Sequence, residues 1–173
     1  MANSNEEEQT KEDLSGISKT KEMEGNGIIK NSVLWSMGVG LIPVPVVDVL
    51  GTTAIQLRML QQLSKLYEVD FSENWGKPAI GSLVGGLGSG GLARVGASAI
   101  KMVPFVGTIA GMISSPLASG ASTYAIGKVF LQHFESGGTF LDFNPEKVRG
   151  HFKKLYQEGK LAAAKIKTNL KSA

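Results

Sequence analysis

The sequence predicts an all-α protein of glycine-rich helical hairpins, broken at Pro43/Pro45 and at Pro104 and followed by a basic C-terminal helix. Three observations carry that expectation: two charge-free apolar runs that each meet proline, ladders of small residues four apart, and a lysine-rich tail of strong helix formers.

Residues 1–26 hold three Lys against seven Asp or Glu and show no apolar face. Such a segment buries too little surface to offset its ordering entropy, so it is expected to be a disordered acidic tail. From Gly27 the character changes, and Asn31 to Val47 carries no charge. A helix of that length covers about 26 Å, slightly short of a ~30 Å hydrocarbon core. Pro43 and Pro45 lack amide donors and push the preceding residue out of helical geometry, so the chain is expected to turn there.

A second helix is predicted from Val46 to Tyr67, with Ile55, Met59, Leu63 and Leu66 on one stripe. Asp48 falls in its first turn, where free amides and the helix dipole stabilise a carboxylate. Its alternative role is a buried partner for Arg58, Arg94 or Lys101. Residues 68–77 are rich in turn formers and read as a linker.

The second half repeats the plan: an apolar helix from Pro78, a turn at Pro104, then another apolar helix to Phe134. Superposing Pro43 on Pro104 sets LIPVP over MVPFV, a short candidate repeat. Met102 to Gly127 is charge-free and spans about 39 Å as a helix, enough for a bilayer. Pro116 within it argues for a kink or two shorter helices, which suits a re-entrant hairpin or a buried core equally.

Residues 144–173 open with the cap-like Asn144-Pro145-Glu146 and hold eight basic groups against two acidic, so the basicity of the chain resides in this tail. Arg149, Lys153, Lys154 and Lys160 are candidate contacts to lipid or a partner, with a plain solvated face as the alternative. The domain division is therefore 1–26, 27–143 and 144–173.

Eleven of the 22 glycines lie between Gly81 and Gly127. Every fourth residue from Gly81 is small through Gly85, Ser89, Ala93 and Ala97, and again from Gly107 through Gly111, Ser115, Ser119, Thr123 and Gly127. Glycine costs about 1 kcal/mol relative to alanine in a helix, so close helix packing is the expected compensation. Gly81, Gly85, Gly107, Gly111, Ser115, Ser119 and Gly127 are the predicted packing positions. Arg94 and Lys101 interrupt the first ladder and favour shallow insertion over a polytopic arrangement.

The chain has no cysteine, which excludes disulfides, zinc fingers and a thiol nucleophile. Its N-terminus lacks the features of a secretory signal, and the protein is expected to stay inside the cell. Gly86-Leu-Gly88-Ser-Gly90-Gly91 matches a dinucleotide loop formally, but no strand precedes it and no acid follows until Glu135. Gly127-Lys128-Val129 lacks the rest of a phosphate loop, and Ser98-Ala-Ile-Lys101 lacks the companion motifs of acyl-transfer enzymes. His133 and His151 read as surface histidines. No cofactor, metal, catalytic residue or nucleic-acid partner is expected.

Leu41-Ile-Pro-Val-Pro-Val-Val-Asp48, Thr53-Ala-Ile-Gln-Leu-Arg-Met59 and Lys101-Met-Val-Pro-Phe-Val-Gly107, with Ala121 to Gly127 and Phe134-Glu-Ser-Gly137, resemble the bacterial YcjF-like domain-of-unknown-function family. The resemblance covers about residues 28–155. It implies a helical, membrane-associated domain, found alone or behind Era-like GTPase domains, and brings no catalytic residues. The expected function is a non-catalytic membrane-associated module, on the cytoplasmic side, that oligomerises or anchors a partner, with a small GTPase in trans as one such partner. The alternative is a soluble helical adaptor whose hairpins form an ordinary core or bind a partner helix.

Overall fold

A computed structural model describes residues 3–39, 45–87 and 116–171, with side chains described for 9–39, 50–87 and 116–169. The described elements are all helical: α1 (Asn3–Val39), α2 (Pro45–Leu66), α3 (Glu73–Gly85), α4 (Pro116–Glu135) and α5 (Pro145–Lys171). No strand occurs among the described residues.

Proline opens three of these helices. Pro45, Pro116 and Pro145 each stand at the first described helical position, where the missing amide costs nothing. Asn144 caps α5, its Oδ1 accepting from the amides of Glu146 at 3.0 Å and Lys147 at 3.2 Å. Glycine ends α4: Gly137 has φ +80°, and the Gly138 amide returns to the His133 carbonyl at 2.9 Å. At the end of α2 the same left-handed position is held by Glu68 at φ 59°, with the Val69 amide reaching the Ser64 carbonyl at 2.8 Å.

α1 and α2 form an antiparallel pair, since Val39 meets Gly51 at one end and the Lys21 ammonium meets the Glu68 carboxylate at 3.3 Å at the other. α4 and α5 form a second, with Ala121 against Gly159 and Gln132 against His151. α4 is also antiparallel to α1, through Gly25 with Leu131, Ile29 with Gly127 and Met37 with Gly120. It is thus the central helix, buried on nearly every side. The core around it contains the fully buried Met59, Leu60, Leu63, Leu83, Ile126, Phe130, Leu131 and Phe152. Burying each such side chain contributes about 1.5–3 kcal/mol.

Three expectations are corrected. The segment expected to be disordered is helical from Asn3 into the packed part of α1. Gly25, Ile29 and Val33 anchor it against the core, and adding turns to an existing helix is far easier than nucleating one, so a polar arm extends the packed segment. The linker is shorter than residues 68–77, because Glu73 opens α3 and Pro78 lies inside that helix. The described part of α4 begins at Pro116, and the expected kink or break within Met102 to Gly127 turns on residues 88–115, which lie outside the described ones. Finally, α5 is not a separate tail, since Phe152, Leu155, Gly159 and Ala163 are buried against α4 and its neighbours. Its apolar stripe was visible in sequence but its partner was not.

The tightest approach is at Gly159, where a Cβ would stand 2.8 Å from the Ala121 carbonyl oxygen and 3.0 Å from its Cα. Backbone cannot move aside as a side chain can. Gly159→Val is expected to destabilise the protein by about 1–3 kcal/mol or more in urea unfolding. Gly81→Ala, at an exposed position with nothing within 4 Å, is expected to stabilise it by about 0.5–1 kcal/mol.

Candidate functional site

The two ends of the bundle are built from different materials. At one end, where α4 stops and the chain turns into α5, the interior is aromatic. Phe130 stacks on Phe143 with centroids 4.4 Å apart and packs against Phe134 and Phe140, while Phe71 meets Phe140 edge-on. The surface there carries polar and ion-paired groups beside the exposed Leu141. Tyr67 donates to the Glu135 carboxylate at 3.0 Å, and burial together with that carboxylate raises its pKa. His133 Nε2 donates to the Thr139 carbonyl at 2.8 Å, and His151 Nε2 to Gln132 at 2.6 Å, so both histidines serve local structure.

At the opposite end, where α1 finishes and α2 and α4 begin, the arrangement inverts. The interior is small and hydroxylated: Ser32 and Ser36 from α1, Thr52 and Gln56 from α2, and Ser119, Ser122 and Thr123 from α4 are all buried. Gln56 Nε2 donates to Ser122 Oγ and Thr123 Oγ1, each at 3.2 Å, and Ser122 Oγ donates to the Ser119 carbonyl at 3.0 Å. Ser32 and Ser36 bond back to the Ile28 and Val33 carbonyls. Thr52 Oγ1 is buried without a partner. Around this polar seam α1 and α2 expose apolar side chains, with Trp35 72% exposed, Leu50 65% and Leu34 36%, while α5 exposes Leu161 among Lys160, Lys165 and Lys167.

The predicted packing positions divide. Gly127 is a close-packing point, since a Cβ there would stand 2.7 Å from Ile29 Cγ1 and 3.0 Å from the Met59 sulfur. Ser119 is fully buried. Gly81 and Gly85 are exposed with open space beside them, so this ladder carries no helix contact in the fold. The reason is that α3 turns its other face, Gly76, Ala79, Ile80 and Leu83, to the core. Gly107, Gly111, Ser115, Pro43 and Pro104 lie outside the described residues. Pro45 starts α2, and Asp48 lies in its first turn with its side chain outside the described ones. Arg149 pairs with Glu146 and lies beside Gly86. Lys153, Lys154 and Lys160 are exposed, the last with its ammonium 5.1 Å from the Tyr156 ring centre.

Sequence reasoning missed Gln56 and its hydroxyl partners, and Gly120 and Gly159, which face Met37 and Ala121. Gln56 lies three positions before the predicted apolar Met59, which was the available signal. Gly86 follows a helix rather than a strand, which removes the structural context of a dinucleotide loop. No group of three or more His, Asp or Glu suited to a metal occurs among the described residues. No described helix is long and apolar enough to cross a membrane.

These features define a small all-helical packing module, with an aromatic core toward one end and, at the other, a polar seam over which α1 and α2 expose Leu34, Trp35 and Leu50. The chain belongs to the family described as Domain of unknown function (DUF697), which matches residues 7–160. It is similar to "Magnetosome membrane protein 22" of Magnetospirillum gryphiswaldense, 40% identical over 154 residues, covering 88% of this chain and 79% of the relative. No solved structure matches.

Two measurements check this geometry. Thr52→Val replaces the unpartnered hydroxyl by a methyl of similar shape and is expected to stabilise the protein by about 1 kcal/mol, whereas Gln56→Ala removes the donor to Thr123 and leaves Ser122 with its Ser119 bond alone, and costs about 1–3 kcal/mol. The exposed Asp142 carboxylate accepts from the Thr139 hydroxyl and amide, with a smaller contribution from His133, which holds its pKa below the ordinary 3.8. The stability it adds is present above the ordinary carboxylate range and is lost as pH falls through the lowered native value. Thr139→Ala is expected to move the Asp142 midpoint upward in an NMR titration.

Proposed function

We propose that the protein is a non-catalytic helical module that associates with a membrane and there anchors a partner or assembles with further copies of itself. The observation that carries this reading is the inversion of polarity on α1 and α2 at one end. In water, bundles place apolar groups inside and polar groups outside. Where lipid surrounds helices, the drive to bury apolar surface between them vanishes, and small and hydrogen-bonding residues take over the interface. Ser36, Thr52, Gln56, Ser122 and Thr123 inside, with Leu34, Trp35 and Leu50 outside, follow the second pattern. An exposed tryptophan fits an interfacial position, where its ring meets both apolar and wet surroundings. The relative from Magnetospirillum bears the name of a membrane protein, which points the same way.

The small GTPase partner implied by the family resemblance belongs to this reading as the cytoplasmic protein the module would hold at the surface. Self-association has to use a surface other than Gly127 and Gly120, because these are already packed against Ile29, Met59, Met37 and Ala163 of the same chain.

Fractionation of the expressed protein tests the proposal. It is expected in the membrane pellet, and retention through both carbonate and high-salt washes would place apolar groups in the bilayer. Release by salt alone would reduce the attachment to charge, and recovery in the soluble fraction from the outset would overturn the reading in favour of a soluble adaptor.

A further inference from the structure

The polar arm of α1 leaves the bundle without company. Lys21 meets Glu68 just past the end of α2, and every described residue before it, from Gln9 to Thr20, is exposed. An unsupported helix of that length is marginal in water, yet this one shows Leu14 61% and Ile17 57% exposed. Where the arm departs, it forms with the end of α2 an open groove of about 480 Å³. Ile17 and Leu66 supply its apolar lining, and Glu12, Asp13 and Glu24 its carboxylates. Lys21, which also lines it, is already matched by Glu68 at 3.3 Å. Such a groove suits a basic helix with an apolar side chain at the centre of its outward face.

The chain itself carries that face. Phe152, Gly159 and Ala163 turn one side of α5 to the core. At about 100° per residue Leu161 stands opposite them, and it is 68% exposed. Lys153, Lys160 and Lys167 follow along one flank and Lys154 and Lys165 along the other, all exposed. Residues 153–171 hold six lysines against Glu158 alone, whereas residues 3–20 hold five acidic groups against two lysines. The lengths agree as well, since the arm from Asn3 to Thr20 rises about 26 Å and α5 from Lys153 to Lys171 about 27 Å. Within one molecule the two do not meet. Met37 and Ala163 both touch Gly120, which sets Leu161 near the level of Met37, about 30 Å of helix rise from Ile17.

We propose that the groove of one copy seats the lysine face of α5 from a second copy, with Leu161 against Ile17 and Leu66 and the flanking lysines against Glu12, Asp13 and Glu24. Groove and lysine face lie toward opposite ends of each molecule, so the contact is heterologous. Each copy offers one of each, and assembly propagates unless a ring closes. This inference rests on the self-association half of the proposed function and names its surfaces. Fractionation reads the membrane half and mass in solution reads this one, so either can fail alone.

The test is light scattering of the full chain behind a sizing column. Wild type is expected to exceed the 18.3 kDa of one copy, with a mass that falls as salt rises. Ile17→Asp and Leu161→Asp, both at exposed positions, are each expected to weaken association by about tenfold or more. Each variant keeps the half that the other lacks, so an equal mixture is expected to recover a complex of two copies and no more. Two silent variants, two defective ones that mixing does not restore, or a wild type of single-copy mass would each overturn the proposal. Cysteine pairs give an independent reading in a chain that has none of its own. A disulfide needs Cα atoms within about 7 Å, so oxidised Ile17→Cys/Leu161→Cys is expected to join separate copies. Failure to cross-link overturns the contact, and equally efficient joining of Ile17→Cys alone overturns it in favour of arm on arm.

Discussion

The fold depends on how closely other helices approach α4. Gly127 admits Ile29 and Met59, Gly120 admits Met37 and Ala163, and Gly159 on α5 brings that helix against the Ala121 backbone. Each of these contacts excludes even a methyl group without a shift. Once α4 is enclosed at this distance, the hydroxyls on it must find partners across the interface, and Gln56 supplies two of them. An unpaired buried hydroxyl costs about 1–3 kcal/mol, so the seam also fixes the register of α2 on α4. The aromatic cluster at the other end tolerates more variation in detail, because rings stack and tilt in several geometries.

Much of this was legible in the sequence. The helical class, the limits of α2 to within a residue and the cap at Asn144 follow from periodicity and from the placement of asparagine and proline. What could not be read was partnership. The arm before Gly25 has the composition of a disordered segment, and only its continuity with the buried Ile29 and Val33 makes it helix. Gly81 and Gly85 keep the spacing of a packing ladder yet face open space, because spacing defines a face and says nothing of what opposes it. Gly159 is one of two glycines in a lysine-rich helix, and its importance comes from Ala121, far away in sequence.

The membrane reading and the packing reading meet at the inverted end. Small residues and hydroxyls allow helices to cohere without burying large apolar side chains between them, which frees Leu34, Trp35 and Leu50 to face outward. In water such an exterior is a liability for self-association. Against acyl chains it is the favoured side. Membership of the DUF697 family and likeness to a protein named for a membrane are consistent with this arrangement without defining the cellular task.

The most direct measurement is of depth: nitroxide spin labels placed singly at Leu34 and at Leu141, on the vesicle-bound protein, with accessibility read against oxygen, which concentrates in lipid, and a water-soluble nickel chelate. Both side chains are exposed in the fold, at opposite ends of the bundle. The account predicts that the label at position 34 is reached by oxygen and shielded from nickel, and that the label at 141 behaves in the reverse manner. Equal nickel accessibility at both positions in bound protein would contradict it.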